Sequence, residues 1–317
     1  MPSPERPSVT VVIPARNAAA DIGALLDAVR SQAAPDVLEV IVVDDSSADD
    51  TAVRARCHGA TVIERGTADG GNPAAARNLG ARSARGEMLV FLDADCVPAP
   101  GWLAALLAAH AEGEAVVGGA LDLPPGLPLT ARLDYYCGWY HVHSRCRAGE
   151  VPNHPPGNLS VSRMAFASTA GFTERQPTAY AHEELAWQAE LRRRGMPLRF
   201  EPRAVVYHRN RPGLGQLLRR NYRWGYSALE AKAATGASRL RWLSRHPRFQ
   251  MFAALPLAAV QALYIAGCWL RVGVLEPVLL LPVVLAARLA YVAGLTAGGI
   301  RWLRGETSAG APRPRWE

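Results

Sequence analysis

The stretch Leu89-Val90-Phe91-Leu92-Asp93-Ala94-Asp95 decides the reading of this chain. An apolar run drives straight into two carboxylates spaced Asp-x-Asp. Apolar runs of this length, bounded by polar residues, read as strands buried on both faces. The end of such a strand sets fixed negative charge at the edge of a sheet, which is costly unless the charge is paired or bound to a metal. The plainer alternative is that the two acids merely open the next loop.

Working outward, the same pattern recurs. Residues 8–14 form an apolar run stopped by Pro14, followed by the loop Ala15-Arg16-Asn17. Asp21 then stands at the N-cap of a helix whose apolar positions Ile22, Leu25, Leu26 and Val29 have helical spacing. Residues 37–43 read as a second buried strand ending in Asp44-Asp45-Ser46-Ser47, and residues 60–64 as a third, shorter one. After the loop Gly70-Gly71-Asn72, Pro73 suits the first turn of a helix through Arg77 and Leu79. Residues 88–92 are the fourth strand. Strands alternating with helices predict βαβ units and a mixed, mostly parallel sheet flanked by helices, an α/β fold. Ligands of such sheets bind outside the carboxyl ends of the strands. Ala15 to Asn17, Asp44 to Ser47 and Asp93 to Asp95 all fall on that edge, which predicts a site for a cation and a phosphorylated ligand.

Downstream, residues 102–110 read as a helix and 116–123 as a strand. Residues 133–147 are aromatic-rich, 159–162 form a short strand, and 183–194 a helix closed by Gly195. Residues 198–200 and 204–208 read as two short strands. Cys137, His141, His143 and Cys146 are all capable zinc ligands, but their spacing matches no familiar zinc framework, and an aromatic segment near the membrane is the better reading. After Arg209, arginines interleave with leucines and aromatics as on a basic amphipathic helix suited to a membrane surface. Residues 249–270 then carry no charge over 22 positions, enough to span a bilayer. Residues 272–300 are a second apolar stretch, disturbed by Glu276, Pro277, Pro282 and Arg288. Together they predict a transmembrane helical hairpin. Its flanks are basic, which by the positive-inside tendency puts both on the cytoplasmic side.

The chain has 317 residues, 49% of them apolar, and a formal charge of +7. That charge suits nucleic acid, anionic lipid or phosphorylated ligands. With no nucleic-acid motif present, no nucleic-acid partner is expected. The five scattered cysteines argue against a disulfide framework. The first residues are proline-rich and polar, without a secretory signal segment, so the expected location is the cell membrane with the N-terminal domain facing the cytoplasm.

At this point the motifs carry a resemblance. They are Val11 to Asn17, Ile41 to Thr51, Asn72 with Ala76 to Gly80, Phe91 to Asp95, Gly157 to Ser160, Gly171-Phe172, Glu183-Glu184 ahead of Gly195, His208, and Arg223-Trp224-Gly225. In this order and spacing the chain resembles an inverting family 2 glycosyltransferase of the GT-A fold, membrane-anchored at its C-terminus. The resemblance covers about residues 8–226. It implies a nucleotide-diphosphate sugar donor, a divalent cation (Mn²⁺ or Mg²⁺) and a hydroxyl acceptor, here a lipid or lipid-linked saccharide. It implies Asp95 as the main metal ligand, with Asp93 between ribose and metal and His208 at metal or phosphate. Asp45 would bind the nucleobase in a pocket lined by Pro14 and Ala15, and Arg16 and Asn17 would take part in binding the nucleotide sugar. Arg77 and Ala94 would face the donor. Glu184 would be the catalytic base beside Glu183, in place of the family's commoner Glu-Asp. Asn158, Arg223 and Trp224 would lie on the acceptor or product-phosphate side. Arg220 stands where processive synthases carry glutamine, and Ala18 where an acid commonly follows the Asn17 position.

These readings divide the chain into an N-terminal tail (1–7), a nucleotide-sugar-binding half (8–118) and an acceptor-binding, catalytic half (119–210). Basic amphipathic membrane-proximal helices (211–248), a transmembrane hairpin (249–300) and a basic cytoplasmic tail (301–317) follow. The alternatives are a non-catalytic membrane-bound nucleotide-sugar-binding protein and a nucleotidyltransferase. The loop after the first strand lacks the glycines that a nucleotidyltransferase would carry there.

Overall fold

β-branched and aliphatic residues dominate the strands that form the parallel half of the sheet, as continuous apolar runs, because helices cover both faces. The computed structural model describes residues 9–32, 37–66, 71–174, 182–210, 213–235, 246, 249 and 252–304. The chain divides into two compact units. One comprises Met1–Asp122, Val142–Glu174 and Trp187–Arg209; the other comprises Leu123–His141, Arg175–Ala186 and Asn210–Glu317.

The first unit is a nine-stranded mixed sheet with helices between its strands. The strands are β1 (Val9–Ala15), β2 (Val37–Asp44), β3 (Thr61–Glu64), β4 (Met88–Leu92), β5 (Cys96–Pro98), β6 (Val116–Asp122), β7 (Gly149–Val151), β8 (Asn158–Ser162) and β9 (Leu198–His208). Their order is β3-β2-β1-β4-β8-β6-β9-β5, with β7 pairing β9. β1, β2, β3 and β4 are mutually parallel, with Ala15 opposite Asp44. The chain runs outward from β1 to β3 and then resumes at β4 on the other side of β1. That reversal opens a crevice at the carboxyl ends of β1 and β4, the usual ligand position in open α/β sheets.

Three helices cover this half: α1 (Ile22–Arg30), α2 (Thr51–Cys57) and α3 (Pro73–Ser83). Asn72 caps α3, its Oδ1 accepting from Ala75 N at 3.0 Å, with Pro73 in the first turn. Asp21 occupies the N-cap of α1 but makes no side-chain cap bond; its carboxylate takes the guanidinium of Arg209 instead. α4 (Trp102–Ala111), α6 (Arg163–Ala167) and α7 (Leu185–Arg193) follow later in the chain. Beneath β4, Phe91 packs on Phe172 with ring centroids 4.9 Å apart, and Phe172 on Trp187 at 4.5 Å. These contacts anchor α7 beneath the strand that carries Asp93 and Asp95.

Two sequence expectations change here. The two short strands at 198–200 and 204–208 are one strand, β9. Its register against β6 jumps between Gly119 and Ala120, so that Gly119 faces Glu201 while Ala120 faces Val205. Pro202 therefore sits in a bulge, which is where a strand tolerates proline. The second change is β5, a three-residue strand directly after Asp95 that places Cys96 opposite His208.

In the second unit α5 (Leu129–Gly138), α8 (Leu214–Thr235), α9 (Ala254–Arg271), the short α10 (Glu276–Leu279) and α11 (Leu281–Leu303) pack together. α9 and α11 are long and apolar enough to cross a membrane. Less than half of each helix is buried, which leaves wide apolar faces outside the protein core. On α9 the buried stripe is Ala258, Ala262, Ile265, Ala266 and Trp269, while Leu255, Val260, Leu263 and Leu270 are exposed. The interruption expected from Pro277 and Pro282 is real: α10 ends at Leu279, with Leu280 as its C-cap, before α11 begins. α8 lies directly against α11. A Cβ on Gly225 would overlap the Tyr291 carbonyl oxygen, one on Gly294 that of Tyr222, and one on Gly298 that of Tyr226. Glycine is required here for close backbone approach, as in small-xxx-small pairs of membrane helices. The Arg223-Trp224-Gly225 motif thus owes its glycine to helix packing.

Candidate active site

The carboxyl edge of the sheet is built from three strand ends that brace one another. Asp45 N extends the β1–β2 ladder by donating to Ala15 O at 2.8 Å. Asn17 and Ser46 both have positive φ, 51° and 60°, a conformation in which Asn and a few other polar residues are enriched. Asn17 Oδ1 accepts from Ala48 N at 2.8 Å, and Asn17 N donates to Ser47 Oγ at 2.9 Å. Ala18 N donates to Thr51 Oγ1 at 2.8 Å, so the absent acid at this position is replaced by a backbone bond to α2. Asn17 therefore locks two loops together. Ala15 is buried, Pro14 and Ala94 are half-buried, and Arg16 is exposed beside Gly71.

Asp45 is 3% exposed and heavily engaged. Its Oδ1 takes Arg65 Nη1 at 2.5 Å, and its Oδ2 accepts from Gly71 N at 2.8 Å and Asn72 N at 2.6 Å. A carboxylate offers about four acceptor positions. Among the described residues, protein donors fill three. Arg65 was not singled out from the sequence, although it directly follows β3 on the same edge, and that placement is the signal that could have found it.

Arg77 is buried and its Nη2 donates to Asp93 Oδ1 at 2.6 Å, with its guanidinium 5.5 Å above the Phe172 ring. The pair fixes one side of the Asp93 carboxylate. Gly157 fixes the other, because a Cβ there would stand 2.6 Å from Asp93 Oδ2. Asp95 lies one turn on, its side chain 33% exposed, with Oδ1 3.6 Å from His208 Nε2. Asp95, Cys96 and His208 bring one potential ligand atom each to within 4.8 Å of one another. Among the described residues no other set of three metal-capable side chains does so, Cys137, His141, His143 and Cys146 included. Burial, reinforced by the Asp95 and Asp93 charges, pushes the Cys96 thiol well above its ordinary range. Asp95 and His208 are the oxygen and nitrogen donors of the set.

Asn158 does not face this edge. It is fully buried; Trp102 Nε1 donates to its Oδ1, and its Nδ2 donates to Ala120 O and Ala204 O, each at 2.8 Å. Those carbonyls flank the β9 bulge. Asn158 thereby satisfies backbone groups that the register jump leaves without ladder partners, and so fixes where His208 emerges. Its place is in the scaffold, with no polar atom left for an acceptor. His154, also fully buried, supports the neighbouring loop. Its Nε2 contacts Gly119 O and its Nδ1 Pro155 O, both at 2.8 Å. Burial outweighs these two carbonyls and lowers its pKa to about 4.

In the second unit, Glu183 and Glu184 are buried immediately before α7. His182 precedes them with φ 70°, and its Nδ1 lies 3.0 Å from Ser227 Oγ on α8. Arg223 is exposed. Trp224 is half-buried, with the Arg220 guanidinium 4.5 Å above its ring and Trp139 6.0 Å away. The structure thus brings Asp93, Asp95, Arg77 and His208 to one edge, with Asp45 nearby, and places Asn158 inside the sheet.

The profile of the Glycosyl transferase family 2 matches residues 10–168. The chain belongs to glycosyltransferase family 2. Among family relatives, the pre-mycofactocin glycosyltransferase of Mycobacterium tuberculosis is 33% identical over 239 residues, covering 71% of this chain and 47% of the relative. This chain therefore spans about half the length of that protein. The glycosyltransferase AglE of Haloferax volcanii is 28% identical over 233 residues, covering 71% of this chain and 74% of its own length. In fold, the chain is similar to a mannosyltransferase from Pyrobaculum calidifontis solved with GDP-Man and Mn²⁺. That likeness has a TM-score of 0.59 at 22% identity and covers 96% of this chain and 89% of the other. It is also similar to glucosyl-3-phosphoglycerate synthase from Mycobacterium tuberculosis, solved with Mn²⁺, UDP and glucosyl-3-phosphoglycerate. Here the TM-score is 0.51 at 22% identity, over 74% of this chain and 81% of that one. Both likenesses show the GT-A fold.

Proposed function

We propose that this family 2 protein is a metal-dependent, inverting glycosyltransferase. It moves a sugar from a nucleotide-diphosphate donor to a hydroxyl of a lipid or lipid-linked saccharide at the cytoplasmic face of a cell membrane. The observation that carries this reading is the meeting of Asp95 and His208, beside an Asp93 already oriented by Arg77, at the carboxyl edge of β4. A carboxylate and an imidazole fit Mn²⁺ or Mg²⁺. Asp95 and His208 would hold a divalent cation, which would supply charge neutralisation for the departing diphosphate. The fold relatives solved with nucleotides and Mn²⁺ support the same donor class.

The chain's own residues have separate tasks in this reading. Asp93, held by Arg77 through its Oδ1, presents its Oδ2 toward ribose and cation. Asp45, held by Arg65 and two backbone amides, binds the nucleobase. Glu184 removes the proton from the acceptor hydroxyl as the sugar is attacked from the opposite face, with Glu183 beside it. The exposed apolar faces of α9 and α11 support membrane attachment. The arginines at 239, 241, 245 and 248, which lie outside the described residues, support the cytoplasmic orientation.

The test is a panel of nucleotide sugars with Mn²⁺, Mg²⁺ or EDTA, reading nucleotide release with and without membrane lipid extract. The expected result is metal-dependent release stimulated by the extract. Glu184→Gln should keep donor binding and lose turnover by about 10²–10⁴-fold. Full turnover in Glu184→Gln removes its role. Donor binding without turnover on any acceptor identifies a nucleotide-sugar-binding protein instead.

A further inference from the structure

Arg288 is a cation inside the second apolar helix, about two turns after Leu281. It is only 7% exposed. Its Nε and Nη2 are buried with no hydrogen-bond partner among the described residues. The Tyr291 ring lies under the guanidinium at 5.1 Å. A ring face balances positive charge but accepts nothing from the in-plane N–H groups. Two acids of the same helical unit are committed elsewhere. Asp134 pairs with Arg220 at 2.6 Å and accepts from Asn210 Nδ2 at 2.8 Å. Glu276 takes Arg132 and the Tyr136 hydroxyl, each at 2.6 Å. An unpaired buried charge of this kind is destabilising by itself, and in membrane helices such residues mark functional sites.

The surroundings narrow the ligand. Nε and Nη2 form one edge of the guanidinium, the fork that binds two oxygens of a single phosphate or carboxylate. Cys137, in the last turn of α5, and Tyr140, just beyond it, lie close enough to feel the Arg288 charge. α5 also carries the Arg132–Glu276 and Asp134–Arg220 ion pairs, which belong at headgroup depth and not in hydrocarbon. Leu255, Val260, Leu263 and Leu270 of α9 stand exposed in the same unit, so hydrocarbon chains have a surface to cover. We propose that Arg288, with α5 beside it, binds the phosphate of a membrane lipid. The inference rests on the membrane placement proposed above and is independent of sugar transfer.

Its test uses the full chain in phosphatidylcholine nanodiscs, without sugar donor. Three probes are added: dioleoyl phosphatidic acid, dioleoylglycerol and sodium phosphate. Lipid retention is read by native mass spectrometry and stability by the melting temperature. Phosphatidic acid should be retained and should raise the melting temperature, while dioleoylglycerol and sodium phosphate should do neither. Arg288→Met should melt no lower than the wild type without the lipid and bind phosphatidic acid at least about tenfold more weakly. Arg288→Lys, which keeps charge but not the fork, should fall between, and carries the test if Arg288→Met does not fold. Equal response to dioleoylglycerol, or an unchanged response in the variants, overturns the proposal. A response to sodium phosphate equal to that of phosphatidic acid overturns the lipid assignment. Loss of binding with donor turnover intact, or the reverse, separates this site from the transferase reading.

Discussion

Replacing Arg77 by methionine tests whether this arginine acts through Asp93 or directly on a ligand. The ion pair is 2.6 Å long, with the arginine side chain 4% exposed and the aspartate 29%. Breaking a fully buried pair costs about 3–5 kcal/mol, whereas exposed pairs are worth about 0–1 kcal/mol. Asp93 is between these limits, so water can recover part of its solvation when the partner is lost. Arg77→Met should therefore cost about 2 kcal/mol of stability. Asp93→Asn should cost at least as much, because it leaves the more deeply buried guanidinium without its counter-carboxylate, with only the Phe172 ring face to balance the charge. Urea denaturation of the two single variants and the double variant closes a cycle. The expected coupling is about 1–2 kcal/mol. Nucleotide affinity, measured by calorimetry on the same four proteins, gives the second readout. If Arg77 acts by orienting Asp93, Arg77→Met weakens binding in the wild type but has no further effect in Asp93→Asn. A coupling below about 0.3 kcal/mol, or an equal loss of affinity in both backgrounds, would refute the reasoning and make Arg77 a direct phosphate ligand.

Other outcomes follow from the same structure. Asp95→Ala should abolish Mn²⁺-dependent turnover while changing stability by no more than about 0.5 kcal/mol, since Asp95 is partly exposed and its backbone bond to Arg209 remains; full activity would remove its assignment as metal ligand. Gly294→Val drives a side chain into the Tyr222 carbonyl and should cost about 1–3 kcal/mol or prevent folding, read from melting curves. Gly267→Ala, on α9 with nothing within 4 Å, is the control and should stabilise by up to about 1 kcal/mol. His154 gives a pH signature. Its pKa falls from 6.5 to about 4 on folding, so its contribution is complete above 6.5 and drains away as pH falls toward 4, worth about 3 kcal/mol in all. Urea midpoints between pH 7.5 and 4 should therefore decline more steeply in the wild type than in His154→Gln.

The parallel half of the sheet was legible in the sequence because each of its strands is a continuous apolar run ending in polar residues. Convergence of Ala15, Asp44 and Asp93 on one edge follows from that alternation alone. β9 was not legible, since Glu201-Pro202-Arg203 reads as a break; the chain passes it by bulging, and only the partner strand reveals that. β5 is three residues long and leaves no periodic trace. Asn158 shows the limit most clearly. A polar residue after Pro-Pro-Gly invites a functional reading, yet its atoms serve carbonyls from β6 and β9 that are 38 and 46 positions away in the chain. Sequence shows a residue's chemistry but not which distant backbone consumes it. Asp45 repeats the lesson: its position at the edge was legible, its three protein partners were not.

The bare glycine contact between α8 and α11 bears on how this protein can be handled. A preparation cut before residue 249 to remove the apolar helices would strip α8 of the surface on which its backbone rests. Gly225, and the backbone of Tyr222 and Tyr226, would be left facing solvent. The helix that holds Ser227 against His182, next to Glu183 and Glu184, would lose its support. Trimming the hydrophobic tail for solubility thus removes a wall of the folded protein, and an inactive truncated protein would say nothing about the chemistry of the intact one.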